Sequence, residues 1–299
     1  EQDDSFGEKT WEKSESAMQR LALSMALNKA GLAAKALDYV FAGDLLNQCI
    51  GTGFALRGQD IPFYGLYGAC STMAESLSLA ALMIDGGFAS HAAAMTSSHF
   101  CSAERQYRTP LEYGGQRTPT AQWTVTGSGC TILAAEGDGP RVTHVTTGKI
   151  ADKGIKDANN MGAAMAPAAY ETIKAHLQDT GRKPSCYDLI LTGDLGRLGR
   201  DIVADLLRRD GVELSNLADC GIMIYDLEGQ DVHCGGSGCG CSAVVLNGYL
   251  LDGLKKGRWK RLLFCGTGAL LSPTSTQQGE SIPAICHAVA LAAPGCETV

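Results

Sequence analysis

The residue with the clearest chemical potential is Cys70, which lies where a glycine-containing turn leads into a predicted helix. The segment Gly68-Ala69-Cys70-Ser71-Thr72 places its thiol beside the unpaired N–H groups of a helix start. Those groups and the positive end of the helix dipole favour a thiolate. The position therefore predicts a lowered thiol pKa and a nucleophile or an anion-facing group. A small buried residue that permits close packing is the alternative.

A second group of soft ligands consists of His233, Cys234, Cys239 and Cys241, which together could hold zinc. Four residues, mostly glycine, separate Cys234 from Cys239 in a tract that opens a helix, and this favours small buried thiols in a tight turn. No CxxC pair occurs among the twelve cysteines, so neither a zinc ribbon nor a secreted disulfide framework is indicated. We expect no metal, no cofactor and a reducing compartment.

The segments that must position these residues occur twice. Residues 37–45 return as residues 187–195, so that Asp44 matches Asp194 at an offset of 194 − 44 = 150. The segment that begins at Cys70 matches the one that begins at Cys241, at an offset of 241 − 70 = 171. A repeat of this length fits a duplicated domain. The sequence predicts two halves, 1–150 and 151–299, packed as one compact unit.

Short apolar strands alternate with helices through both halves, which predicts an α/β fold with helices covering the sheets. Thr72 and Glu75 are spaced as a capping box at the start of a buried central helix. Residues 272–280 have a hairpin-like pattern. The predicted helices span 13–29, 71–84, 163–177, 201–209 and 242–254, and the predicted strands span 39–42, 92–96, 123–134, 189–191 and 261–264.

Composition excludes several classes of function. The chain has 299 residues, 45% of them apolar, and can bury a large core. The net charge of −7 comes without a basic run, which argues against nucleic acid and anionic membrane surfaces as partners. The apolar stretches are short or interrupted and the first residues are acidic, so neither a membrane span nor a secretion signal is predicted. We expect a soluble chain of cytoplasmic type.

Several motifs resemble those of the thiolase superfamily: the cysteine at the helix start, Thr126-Gly127-Ser128-Gly129 in a strand, the glycine-rich tract before the matching second helix, and the duplicated strands. The resemblance implies two pseudo-symmetric halves that form a five-layer α-β-α-β-α sandwich. It also places Cys70 at the superfamily's nucleophile position. Superfamily members usually pair through the nucleophile-bearing half, which implies a homodimer.

Longer blocks resemble the stage V sporulation protein AD family within that superfamily. This resemblance implies a non-catalytic protein that binds pyridine-2,6-dicarboxylate (dipicolinate) or its calcium chelate. It further implies peripheral association with the spore inner membrane and a place in a membrane transport assembly that moves the ligand into the developing spore. The blocks are 41–48, 68–72, 97–99, 112–116, 165–169, 189–195 and 267–273.

The residues expected around such a ligand lie at strand ends, at a helix start or in loops. A planar aromatic dianion suits a cleft with helix N–H groups, Arg side chains and apolar walls. Surface salt bridges are the alternative for the arginines, turn capping for the aspartates, and a hydrogen-bonded core residue for the histidine. The candidates are Cys70, His99, Arg105, Arg108, Asp44, Asp194, Gly236 and Ser237.

The catalytic set of the superfamily is incomplete in this sequence. Asp194 stands where related condensing enzymes place a catalytic His, and Gly235 stands at the other His position. A thiol without a general base is a weak acyl-transfer centre, because proton transfer and oxyanion stabilisation each supply factors of roughly 10² or more. Binding is therefore the preferred hypothesis. An acyl transferase or condensing enzyme that uses Cys70, and a scaffold without a ligand, are the alternatives.

Overall fold

Two main β-sheets alternate with three layers of helices. The computed structural model describes residues 3–107 and 117–297. The helices are α1 (Trp11–Ala30), α2 (Ile50–Leu56), α3 (Thr72–Asp85), α4 (Phe100–Tyr107), α5 (Met161–Thr180), α6 (Gly196–Arg209), α7 (Cys220–Met223), α8 (Cys239–Val245), α9 (Leu251–Lys255) and α10 (Pro273–Gln277). The strands are β1 (Tyr39–Gly43), β2 (Phe63–Gly65), β3 (His91–Ser98), β4 (Trp123–Thr124), β5 (Gly127–Ala134), β6 (Arg141–Thr146), β7 (Leu189–Thr192), β8 (Leu217–Asp219), β9 (Gly236–Ser237), β10 (Arg261–Ala269) and β11 (Ala284–Ala292).

The sheets repeat one topology. The first has the order β2-β1-β3-β5, with β3 antiparallel to β5 and the other neighbours parallel. The second has the order β6-β11-β10-β7-β8, with β10 antiparallel to β11. Strand β6 pairs with β11 in the second sheet although it precedes residue 150. The division at residue 150 stays a prediction.

The helices α3 and α8 form the central layer and bury apolar side chains against both sheets. Met73 and Leu77 of α3 share one core with Phe264 and Val289 of the second sheet. Helices α5 and α6 cover the outer face of the second sheet, whereas α1 covers the first. This arrangement confirms the five-layer α/β sandwich. A π-helical turn, Leu246–Leu250, joins α8 to α9, so the single helix predicted for 242–254 is interrupted.

Helix ends follow their local chemistry, with two exceptions to the sequence prediction. Gly31 ends α1 in the left-handed conformation, as expected for a C-terminal glycine. The predicted capping box at Thr72 is wrong, because the Thr72 hydroxyl donates to the carbonyl of Ala69 instead. The hairpin predicted for 272–280 is also wrong. Ser272 and Ser275 form a capping box there and start α10.

Candidate functional site at Cys70

A small pocket lies beside Cys70, between the two halves of the molecule. The space open to the centres of water-sized molecules is about 60 Å³. Its walls combine apolar side chains with a carboxylate, two hydroxyls and a phenol. The lining residues are Leu45, Ala69, Cys70, Ala103, Glu104, Tyr107, Thr124, Met161, Ser237, Ala269 and Leu271.

Cys70 lies in a 3₁₀ turn, Ala69–Ser71, directly before α3. The residue before it, Ala69, has a φ of 51°, a left-handed conformation that is uncommon for a side chain with a Cβ. The turn presents the Cys70 side chain to the pocket and leaves it 7% exposed. Backbone strain of this kind is frequent at ligand and active sites.

Asp194 approaches the same thiol from the second half. One of its carboxylate oxygens accepts from Thr267 Oγ1 at 2.9 Å, and the other accepts from the Gly238 N–H at 2.9 Å and from Ser237 Oγ at 3.4 Å. Complete burial raises the pKa of Asp194 to about 6, with the Cys70 thiol as a further hydrogen-bond partner. Gly238 has a φ of 99°, and a Cβ there would lie 2.7 Å from Ser98 Oγ. The backbone position that donates this N–H to Asp194 therefore requires glycine.

The Cys70 thiol is held in its protonated form. Burial raises its pKa well above the usual range, and the neighbouring Asp194 carboxylate raises it further. The prediction of a lowered pKa is therefore wrong. The helix dipole contributes a partial charge, whereas desolvation and a buried carboxylate from the other half both oppose a thiolate.

Glu104 supplies the carboxylate of the pocket wall. Its Oε1 accepts from Thr124 Oγ1 at 3.0 Å and lies 3.6 Å from Arg117 Nη2. Strand β4 places Thr124 directly opposite Ser237 of β9, so that both hydroxyls line the pocket. The Arg117 guanidinium in turn packs over the ring of Trp123, 4.7 Å from its centroid. The pocket therefore has one carboxylate with a cationic partner.

The rim is closed by hydrogen bonds between α4 and the loop after β1. Gln106 Nε2 donates to the carbonyl of Leu45 at 3.0 Å, and Gln106 Oε1 accepts from the Asn47 N–H at 3.0 Å. The Tyr107 hydroxyl also donates to the Leu45 carbonyl and lies 2.9 Å from the hydroxyl of Tyr67. These bonds fix the apolar side of the pocket.

Of the predicted ligand residues, Cys70 and Ser237 line this pocket, whereas His99 and Arg105 lie elsewhere. His99 is buried against the Trp11 ring, 5.4 Å between centroids, with Nε2 3.1 Å from the carbonyl oxygen of Asp4. His99 is not among the residues that line the Cys70 pocket. Arg105 forms an exposed ion pair with Glu12. Arg108 lies outside the described residues.

The remaining predicted residues divide between the site and its support. Cys70 and Ser237 line the pocket, and the fully buried Asp194 lies behind them, within hydrogen-bonding reach of both side chains. Gly236 pairs with Trp123, and its carbonyl accepts from Gln122 at 3.0 Å. Asp44 is fully buried and caps its own loop, accepting from the N–H groups of Leu46 and Thr52 at 2.9 and 2.7 Å.

In the described part of the chain, no histidine lines the pocket and no cluster of three or more His, Cys, Asp or Glu could hold a metal. His287, at the C-terminal end of the chain, accepts instead from the Gly148 N–H at 3.3 Å. Residues 3–107 and 117–297 also contain no helix long and apolar enough to cross a membrane.

Sequence analysis missed Glu104 and Tyr107, although they belong to the same run as Arg105. Helical spacing holds the signal, because Ala103 and Tyr107 are four residues apart and Glu104 lies beside them on one face. Arg105 lies on the exposed part of α4, where it pairs with Glu12. Met161 and Leu271 of the second half carry no comparable signal.

Several solved structures resemble this one in fold. The 3-oxoacyl-[acyl-carrier-protein] synthase III of Aquifex aeolicus superposes with a TM-score of 0.61 at 14% identity, over 95% of this chain and 85% of that one. OleA of Xanthomonas campestris with bound lauric acid and lauroyl-CoA gives 0.61 at 14% identity, over 93% and 82%. These likenesses establish the thiolase-like fold.

Sequence comparison is more specific. Residues 1–292 match the family described as Stage V sporulation protein AD (SpoVAD). The stage V sporulation protein AD of Bacillus subtilis (strain 168) is 47% identical over 283 residues, which are 94% of this chain and 83% of that protein. This chain therefore belongs to the stage V sporulation protein AD (SpoVAD) family, a group of sporulation proteins with a thiolase-like fold.

Proposed function

We propose that the Cys70 pocket binds dipicolinate or its calcium chelate, without catalysis, for uptake into the developing spore. The observation that carries this proposal is the pairing of Cys70 with Asp194. A thiol that donates to a buried carboxylate, with its pKa raised, is not activated as a nucleophile. No histidine is among the described residues that line the pocket, which supports binding over acyl transfer.

The size of the pocket supports a small flat ligand. A bound water needs about 10–15 Å³ of such space, so about 60 Å³ holds about four to six waters, which occupy about 120–180 Å³ as liquid. This volume suits one aromatic ring with small substituents. A long acyl chain needs a tunnel, and fatty acyl substrates are therefore disfavoured.

The lining chemistry also suits a ring with polar substituents. Apolar side chains of Leu45, Ala103 and Leu271 would face the ring, while the hydroxyls of Thr124 and Ser237 would serve as donors. The carboxylates of Glu104 and Asp194 oppose a bare dianion. They favour a ligand that brings calcium or a proton with it.

Calorimetric titration with dipicolinate, with and without calcium, tests the proposal. We expect one saturable site per chain. Leu271→Trp, at the half-buried rim, should fill the pocket and weaken binding by at least about tenfold. Leu21→Trp, on the exposed face of α1, is the matched control and should bind as the wild type does. A folded wild-type protein that shows no saturable binding would remove the proposal.

The alternative is acyl transfer through Cys70, and its specific support is the position of this thiol at a helix start in a fold shared with condensing enzymes. Incubation with short acyl-CoA thioesters and intact-mass measurement tests it. A covalent adduct that is lost in Cys70→Ser would establish acyl chemistry. An unmodified wild-type protein would exclude it under those conditions.

A homodimer is proposed on the edge strand β2. The exposed side chains of Phe63 and Tyr64 lie on this outermost strand of the first sheet. Two copies of one edge strand pair antiparallel about a twofold axis, which would cover an edge that otherwise invites aggregation. Light scattering should give twice the chain mass for the wild type. Tyr64→Lys should give the monomer mass if this edge forms the interface.

The other proposed partners are membrane components of the dipicolinate transport assembly, with the chain peripherally bound at the spore inner membrane. Support comes from membership of the sporulation family. Fractionation of spores tests the location. We expect the chain in the inner-membrane fraction and its release by high salt without detergent. Recovery only in the soluble fraction would contradict it.

A further inference from the structure

We infer that the Cys70 pocket takes up one proton together with a dianionic ligand, and that Asp194 holds this proton. The inference rests on the proposed function and concerns the regulation of the same site. It would make binding of the free diacid dependent on pH, while the neutral calcium chelate would bind with little such dependence.

The set of groups that face Asp194 supports the uptake of a proton by this carboxyl. Its partners Thr267, Ser237 and Gly238 come from β10 and from the segment before α8, and all are neutral donors. The titratable neighbours are the thiols of Cys70, Cys220, Cys239 and Cys241, whose pKa values burial raises, and the carboxyl of Asp219. Among the described residues, Asp194 forms no ion pair.

The contrast between Asp194 and Glu104 indicates which of the two carboxyl groups takes up the proton. Glu104 lines the pocket and has Arg117 at 3.6 Å and the Thr124 hydroxyl at 3.0 Å, whereas Asp194 lies behind the lining residues Cys70 and Ser237. A cationic partner keeps a carboxylate ionised when another anion arrives. Asp194 has no such partner among the residues described and is completely buried. A bound dianion next to Cys70 therefore disfavours the charged form of Asp194 first.

The starting protonation state of the carboxyl also favours proton uptake. The pKa of Asp194 is about 6, so a nearby dianion that raises it by about two units makes the site take up nearly a whole proton at pH 7. Because coupling between two binding events is reciprocal, a ligand that raises this pKa must itself bind more tightly when the proton is present.

Titration of dipicolinate by calorimetry at pH 7 in two buffers of different ionisation enthalpy measures the protons taken up. We expect close to one proton per bound ligand, and a Kd that rises about tenfold per pH unit above pH 6. Asp194→Asn should bind with no proton uptake and a flat pH dependence. Glu104→Gln should change the affinity yet keep the uptake. With the wild-type protein, binding of the preformed calcium chelate should be accompanied by less proton uptake than binding of dipicolinate without calcium.

The outcomes separate this inference from the proposed function. Binding without proton uptake by the wild type, uptake that persists in Asp194→Asn, or uptake that is lost in Glu104→Gln would each overturn the inference and leave the binding function standing. Absence of saturable binding from pH 5 to 8 would overturn both. The wild-type proton count does not depend on whether Asp194→Asn folds.

Discussion

The same Gly-Asp-Leu sequence ends the first repeated strand in each half, yet the two aspartates have different tasks. The Asp44 carboxylate caps its own loop. It accepts from the N–H groups of Leu46 and Thr52 and, at 2.6 Å, from the Thr52 hydroxyl. Asp194 instead binds distant segments and the Cys70 thiol. Asp219 takes over the capping, accepting from the Leu195 and Gly196 N–H groups at 2.8 and 3.0 Å. Release from local capping is what makes Asp194 available to the pocket.

The outer helices α1 and α5 show a second difference between the halves. They lie 150 residues apart, since Trp11 matches Met161 by 161 − 11 = 150. Buried Glu15 and Gln19 in α1 correspond to Met165 and Ala169 in α5, which belong to an apolar core. Glu15 accepts from Ser97 and Ser102 at 3.0 and 2.7 Å. The half that carries Cys70 is therefore the more polar one beneath its outer helix.

The largest expected effect is the difference in stability between the Asp44 and Asp194 variants. Asp44→Asn should lower the free energy of unfolding by about 3 to 4 kcal/mol, because the new amide would face an N–H donor at Leu46 or Thr52. Asp194→Asn should change it by less than about 1 kcal/mol, because the Thr267 hydroxyl can rotate to accept. Urea denaturation of both variants measures this. Equal losses would show that Asp194 is also a structural cap.

The next effect sharpens the comparison of α1 with α5. Burial and the nearby Asp44 raise the pKa of Glu15 to about 8, so the folded state holds a proton that the unfolded state releases above about pH 4.5. The stability contributed by this proton is complete at low pH and is lost as the pH rises through 8. We expect a fall of about 3 kcal/mol between pH 5 and 8.

Glu15→Gln should remove most of this fall and leave a smaller one, of about 1 kcal/mol below about pH 7, from the raised pKa of Asp194. Glu171→Gln, which removes an exposed ion pair with Lys153 on α5, should leave the pH dependence as in the wild type and serves as the control. Denaturation at several pH values measures both. A wild-type curve that stays level between pH 5 and 8 would contradict the buried-acid account of α1.

The smallest effect concerns the reactivity of thiols. At pH 8, iodoacetamide should modify Cys70 about a hundredfold more slowly than the half-buried Cys234, because thiolate is the reactive form and Cys70 holds its proton. Peptide mass spectrometry over time measures the two rates. Modification of Cys70 first would show an activated nucleophile and would favour the acyl-transfer alternative.

Elements were predictable from the sequence where local chemistry decides them. Gly31 ends α1, and the Tyr39–Gly43 strand follows from its short apolar run and the Gly-Asp stop. The strand predicted for 92–96 is part of β3, which extends to Ser98. The strand pattern does not determine the direction in which the next side chain points. The His99 side chain packs against the Trp11 ring.

The electrostatics of the site were not predictable, because they depend on segments far apart in the chain. The thiol pKa is set by burial and by Asp194, which lies 194 − 70 = 124 residues away. The repeat identified both residues but could not show which of two equivalent aspartates meets the thiol. Only the packing of the halves does so.

The central claim is that the pocket at Cys70 receives a small diacid and performs no acyl chemistry. Titration of the wild-type protein with dipicolinate, beside incubation of the same preparation with acyl-CoA, tests it most directly. The account predicts saturable binding of one ligand per chain, weakened at least about tenfold by Leu271→Trp, and no covalent adduct. A Cys70 thioester in a protein that ignores dipicolinate would contradict it.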